Sequence, residues 1–113
     1  MDNIKNNKYY LNKIITDLAF IVAHTENLSK KELECDEVLI DSVMFRLIQI
    51  SENSDKLTDE FKLQHNNIPW RAVKGMRNRI VHEYGNVDMS VVFDTVEKDI
   101  PELLAELQVI ANE

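Results

Sequence analysis

The stretch IPWRAVKGMRNRIVHEYGN, residues 68–86, decides the fold that this sequence predicts. The proline near its start is pre-organised for the first turn of a helix, and the glycine–asparagine pair at its end is a helix stop. Val73, Met76 and Ile80 recur at three- and four-residue intervals, which places them on one side of a helix. The sequence therefore predicts a helix that begins at IPW, runs through Tyr84 and needs other helices to cover its apolar side.

Two helical patterns precede this stretch. The first runs from about residue 4 to 27 and the second from about residue 36 to 56. Their apolar residues fall on one side, Leu11, Ile14, Leu18, Ile21 and Leu28 in the first and Leu39, Val43, Leu47 and Ile50 in the second. A polar connector, SKKELECDE, lies between them, and a short helix capped by Thr58 is expected before IPW.

A fourth long helix is expected after Asp88, which can cap its start. Its apolar residues are Val92, Val96, Ile100, Leu103, Leu107 and Ile110. Pro101 interrupts the pattern, so a kink or a break is expected near Asp99. Helices joined by short connections predict an all-α fold, an antiparallel bundle of four to five helices.

Composition agrees with this fold class. The 113 residues, 44% of them hydrophobic, predict a single domain over residues 1–113. Two glycines and two prolines leave few positions for the tight turns of sheet folds. The lone Cys35 cannot form an internal disulfide and is expected to be a half-buried helix thiol. A polar N-terminus and the absence of a long apolar run predict a cytoplasmic protein outside the membrane.

The net charge of −7 opposes indiscriminate binding to nucleic acid. Any RNA or DNA function would therefore need a local basic patch or an oligomer. His24 and His65 lie in separate segments without partners at ligand spacing, so neither a metal site nor a cofactor is predicted.

Polar residues collect on one side of the helix predicted after IPW. At about 100° per residue this side carries Arg71, Lys74, Arg77, Asn78 and His82. An arginine can bind a phosphate oxygen through its fork of donors, and a histidine can move a proton near neutral pH. The pattern is suited to cleaving RNA, which supplies its own 2′-hydroxyl nucleophile, but a solvated helix face is the alternative.

The number of proton transfers in RNA cleavage predicts that two copies of the chain act together. Cleavage ordinarily needs two acid–base groups, and this helix has one histidine, so a two-fold dimer would supply the other. A dimer would also merge two RNA-binding strips, each formed by Arg71, Lys74, Arg77 and Arg79. Glu52 could orient Arg77 or His82, with an ordinary surface ion pair as the alternative.

Two neighbouring segments, IPWRAVKGMRNRIVHEYGNVD and VVFDTVEKDIPEL, match a known family pattern. Together with MFRLIQISENSDKLTDEF they resemble the HepT-like toxins of the HEPN superfamily, from about Asp41 to Leu104. The diagnostic element is an arginine, four residues, a histidine, one residue and a tyrosine, met here by Arg77, His82 and Tyr84.

This resemblance implies a metal-independent endoribonuclease, the toxin of a type II toxin–antitoxin system. Arg77 and His82 would be catalytic, Asn78 would support them, and the site would be composite across a homodimer or a higher oligomer. The implied partner is an MNT-type nucleotidyltransferase antitoxin that transfers AMP to Tyr84. The alternative is a non-catalytic subunit that binds nucleotide or partner within a nucleotidyltransferase complex.

One departure from the family pattern lies in the second helix. Relatives often carry glycine, glutamate and alanine where this chain has Ser51, Glu52 and Asn53. The glutamate is kept, but its neighbours are larger and more polar. Close packing at this point and a role for Glu52 therefore do not follow from the resemblance.

Overall fold

The helices come from a computed structural model that describes residues 6–82 and 88–113, without the side chains of residues 80–82. In chain order they are α1 (Asn7–Thr25), α2 (Lys30–Glu34), α3 (Glu37–Asp55), α4 (Asp59–Gln64), α5 (Trp70–His82), α6 (Met89–Asp94) and α7 (Ile100–Ala111). A π-helical turn at Thr95–Asp99 joins α6 to α7. The described residues contain no strand, and the predicted all-α fold is confirmed.

The long helices pack side by side, α1 against α3 and α7, and α3 against α5. The start of α1 meets the turn that follows α3, where the Asn7 side chain donates to the hydroxyl of Thr58 at 3.0 Å. Further along, Arg46 on α3 pairs with Asp17 on α1 at 2.7 Å and covers the Phe20 ring. These pairs show that α1 and α3 run antiparallel.

The predicted apolar sides form the core, except that Leu28 follows the end of α1 and lies outside the core cluster. Its fully or nearly buried members include Leu11, Ile14, Leu18 and Ile21 of α1, Val43, Leu47 and Ile50 of α3, Val73 and Met76 of α5, and Ile100, Leu103 and Leu107 of α7. In α1, α3 and α7 these residues extend over about two turns or more, so the core runs along the bundle axis. Among the described residues, no helix is long and apolar enough to cross a membrane.

The connector between the first two predicted helices holds a helix of its own, α2. Ser29 and Glu32 close a capping box around its start, each side chain bonding the other's backbone N–H. The Ser29 backbone N–H, and then its hydroxyl, lower the pKa of Glu32 below the ordinary value. Burial of Leu33 gives this short helix its contact with the bundle. Cys35 follows the helix and is exposed, so the half-buried thiol was a wrong prediction.

Side-chain caps occur where the sequence predicts them. Thr58 accepts from the Phe61 N–H at the start of α4, and Asp88 accepts from the Ser90 N–H at the start of α6. The predicted interruption near Asp99 takes the form of the π turn. Tyr84 and the glycine–asparagine stop lie outside the described residues.

Candidate functional site

The helix that carries the candidate residues, α5, is anchored at its start. Pro69 immediately precedes it, and the carbonyl of Pro69 accepts from the Val73 N–H at 3.1 Å. The indole of Trp70 donates to the His65 carbonyl at 3.0 Å, which ties α5 to the end of α4. Burial of Val73 and Met76 against the bundle then turns the polar side of α5 towards solvent.

Ser51 sets the position of α5 against α3. Its side chain is 2% exposed, and its hydroxyl donates to the Lys74 carbonyl at 2.8 Å. The same oxygen accepts from the Arg77 backbone N–H at 3.4 Å. The two helices therefore pack closely at the residue where the departure from the family pattern left packing open.

Two ion pairs flank this contact. Glu52 Oε2 lies 3.0 Å from Arg77 Nε, and Asp55 Oδ1 lies 3.3 Å from Lys74 Nζ. Because the earlier residue of α3 pairs with the later residue of α5, these helices are antiparallel. Glu52 and Arg77 are each 45% exposed, so solvent screens the pair and its stabilisation is small, about 0–1 kcal/mol.

The Glu52 contact orients the guanidinium of Arg77. Glu52 bonds the Nε edge of the guanidinium, and no other described residue bonds its terminal nitrogens. Those two nitrogens are the donors that bind a phosphate in a forked geometry. Among the described residues, Glu52 therefore contacts one edge of Arg77 and leaves the two terminal nitrogens without a side-chain partner.

A groove of about 380 Å³ opens between α3 and α5 at these pairs. Its lining residues are Ser51, Glu52, Asp55, Lys56, Lys74, Arg77 and Asn78. The structure thus brings together Arg77, Asn78, Lys74 and Glu52. Lys56 joins them from the end of α3, a residue that the helical wheel of α5 could not include.

The other predicted RNA-binding arginines lie apart from this groove. Arg71 lines a groove beside α4, and Arg79 lines one beside α7 together with Asp99, Glu102 and Glu106. Arg79 is two residues from Arg77, which puts the two side chains about 200° apart around the helix. The bundle therefore divides the predicted strip among three grooves.

His82 belongs to α5, five residues after Arg77, so its backbone lies about 7.5 Å further along the helix axis. Its side chain and the whole of Tyr84 are outside the described residues. Within the described part of the chain, no cluster of three His, Cys, Asp or Glu side chains could hold a metal ion.

Comparison with known proteins places residues 14–110 within the family model described as Ribonuclease HepT-like. A protein of Caldanaerobacter subterraneus, provisionally named an RNase, is 30% identical over 107 residues, 95% of this chain and 96% of its own. A probable ribonuclease HepT of Thermococcus cleftensis is 32% identical over 104 residues, 92% of this chain and 94% of its own. No solved structure matches this chain.

Proposed function

The chain belongs to the HepT-like ribonuclease family, and on that premise we propose that it is a metal-independent endoribonuclease acting in the cytoplasm. The observation that carries the proposal is Arg77, held at Nε by Glu52 in the groove between α3 and α5. The same helix carries His82 one and a half turns later. An RNA phosphate at this groove would therefore contact a guanidinium on the helix that also carries His82.

The reaction uses the 2′-hydroxyl of the RNA as nucleophile. Its oxygen bonds to phosphorus as its proton leaves to a base, and the bond from phosphorus to the 5′-oxygen breaks as that oxygen receives a proton. The products are a 2′,3′-cyclic phosphate and a 5′-hydroxyl. Arg77 stabilises the charge on the non-bridging oxygens, and His82 carries one of the two proton transfers. Asn78 lines the same groove and supplies a further hydrogen-bonding group.

A second copy of the chain completes the site in this proposal. One histidine serves one of the two proton transfers, so the other requires another group. Val38 and Phe45 of α3 are 78% and 59% exposed, and they lie fourteen and seven residues before Glu52 on the same face of the helix. Apolar side chains so exposed on the face of α3 that carries Glu52 fit a surface that a second copy covers.

We propose further that the protein is the toxin of a toxin–antitoxin pair. Its antitoxin would be a nucleotidyltransferase that transfers AMP to Tyr84, the tyrosine two residues after His82. An adenylate there would add bulk and negative charge close to the proposed phosphate site. The modification would therefore oppose RNA binding both sterically and electrostatically.

Cleavage is tested with purified Arg77→Ala and His82→Ala variants. We expect each variant to cut RNA about a hundredfold or more slowly than the parent, because each loses a group that acts on the reacting phosphate. The matched control is His24→Ala, since His24 is exposed and stacks on Phe20 of α1, away from the groove. If His82→Ala cuts as fast as the parent, the mechanism is wrong. No cleavage by the parent, with tight association with a nucleotidyltransferase, would favour the non-catalytic subunit.

The AMP proposal has a separate test. After incubation with the nucleotidyltransferase and ATP, mass spectrometry should find one added adenylate on the peptide that contains Tyr84. The control is Tyr84→Phe, which should stay unmodified because it lacks the acceptor oxygen. Adenylate on Tyr9 or Tyr10 of α1, with Tyr84 unmodified, would reject the proposal.

A further inference from the structure

A second groove, of about 600 Å³, lies where α4 meets the start of α5. Its floor is apolar and contains Ile68, which is buried, and Trp70, which is half-buried. Leu63 stands at its edge with 74% of its surface exposed. The indole N–H of Trp70 is already bonded to a carbonyl, so the ring offers the groove apolar surface rather than a free donor.

The charge of this groove is unusual for so acidic a chain. Lys62 and Arg71 line it against one carboxylate, Asp59. The groove between α3 and α5 has a similar excess, with Lys56, Lys74 and Arg77 against Glu52 and Asp55. Two other grooves have the opposite sign, one lined by Glu26, Glu32 and Glu97 and the other by Arg79 with Asp99, Glu102 and Glu106. Cationic side chains therefore outnumber carboxylates in the two grooves that lie along α5 from its start to Arg77.

The two positive grooves are neighbours along this helix. Arg71 in the first and Lys74 in the second are three residues apart, which makes them surface neighbours on an α-helix. Arg71 and Arg77 are separated by about 9 Å along the helix axis. They are also about 120° apart around the helix, so a strand that reaches both residues crosses the surface of α5 from one groove to the other.

From these contacts we infer that the groove at Trp70 binds an unpaired nucleotide of the same RNA strand, more than one position away from the nucleotide that is cut. Its base lies on the apolar surface formed by Leu63 and Trp70, and its phosphate lies between Lys62 and Arg71. Apolar and aromatic surface next to cations is how proteins hold single-stranded nucleic acid without reading its sequence. The inference rests on the proposed ribonuclease function, since it extends the substrate of that site.

The lone tryptophan makes this groove observable without any cleavage. The probe is a short single-stranded RNA with methylated 2′-oxygens, which removes the nucleophile and keeps the strand intact. Titration into the wild-type protein should change the fluorescence of Trp70. Leu63→Ser and Arg71→Ala should each weaken binding about fivefold or more, because each removes a contact to the same nucleotide. Both side chains are exposed, so both variants should keep the fold and melting temperature.

Matched controls come from exposed residues elsewhere in the bundle. Val109→Ser removes an apolar side chain that is 64% exposed on α7, and Lys98→Ala removes an exposed cation from the π turn. Neither should alter binding. In cleavage assays, Leu63→Ser should raise KM for a longer RNA but leave a dinucleotide unaffected, because a dinucleotide cannot fill both grooves.

Failure of this inference is distinguishable from failure of the proposed function. If RNA is cut normally while Leu63→Ser and Arg71→Ala leave KM and binding unchanged, the inference is overturned and the ribonuclease stands. If no RNA is cut but both variants weaken binding, the groove is an RNA site in a protein that does not cleave. If Leu63→Ser releases a bound nucleotidyltransferase and leaves RNA binding intact, the groove is a protein-docking surface and the inference fails.

Discussion

At the scale of single residues, two buried serines of α3 differ in what their hydroxyls do. Ser51 is 2% exposed and bonds the backbone of α5, donating to the Lys74 carbonyl. Ser54, one turn later, is 0% exposed, and its hydroxyl has no partner among the described residues. A buried hydroxyl that is bonded contributes to stability, whereas an unbonded one costs its desolvation. The same residue type therefore has opposite effects at positions three apart.

This contrast predicts opposite outcomes for the same substitution. Ser51→Ala should lower the free energy of unfolding by about 1 kcal/mol, because the hydrogen bonds from Ser51 to the Lys74 carbonyl and the Arg77 N–H are lost. Ser54→Ala should leave stability unchanged or raise it, because no hydrogen bond is lost. Urea denaturation of the two variants measures the difference. Equal shifts of the midpoint would show that the Ser51 contacts do not stabilise the bundle.

At the scale of helices, the run from α6 to α7 shows how a proline is accommodated. Pro101 has no N–H, so it cannot continue the ladder of α-helical bonds. The π turn precedes it, and the Ile100 N–H reaches back five residues to the Thr95 carbonyl. Val92, Val96 and Ile100 are spaced by four, which exceeds 3.6 residues per turn, and a wider turn keeps them on one side. The interruption is therefore helical rather than a break.

Other differences between expectation and structure at this scale also have local causes. The short helix α2 was missed because its stretch has few apolar residues, although the Ser29–Glu32 spacing is a recognisable capping box. The order and type of the long helices were predictable because each repeats its apolar residues over several turns. Helix α5 was predicted through Tyr84 and is described through His82.

At the scale of the whole molecule, the exposed apolar face of α3 leads to a prediction about assembly. Phe45→Glu should convert a dimer to a monomer and reduce RNA cleavage, because a carboxylate at the proposed interface would be buried without a partner. Phe45 is 59% exposed, so the isolated chain should keep its fold. Light scattering coupled to gel filtration gives the mass.

Val109→Glu is the control for this experiment. Val109 is 64% exposed on α7, so it tests the effect of a carboxylate at an apolar position away from α3. It should alter neither the mass nor the cleavage rate. A Phe45→Glu protein with the mass of the parent dimer would place the interface on another face.

The all-α fold, the apolar sides of the long helices and the caps at Thr58 and Asp88 follow from the sequence alone, because these features depend on residues a few positions apart. It also placed Arg77, Asn78 and His82 on one helix. Glu52 was recognised as able to orient Arg77 or His82, and the pair it forms is with Arg77 at 3.0 Å.

Which of these groups meet depends on how the helices pack. Ser51 and Lys74 are 23 residues apart in the chain, and Glu52 and Arg77 are 25 apart. Their contacts exist because α3 and α5 pack antiparallel, which no helical wheel of one segment can show. The same packing placed Arg71, Arg77 and Arg79 in three different grooves. The physical reason is that a wheel gives directions around one helix, whereas a groove needs the position of the neighbouring helix as well.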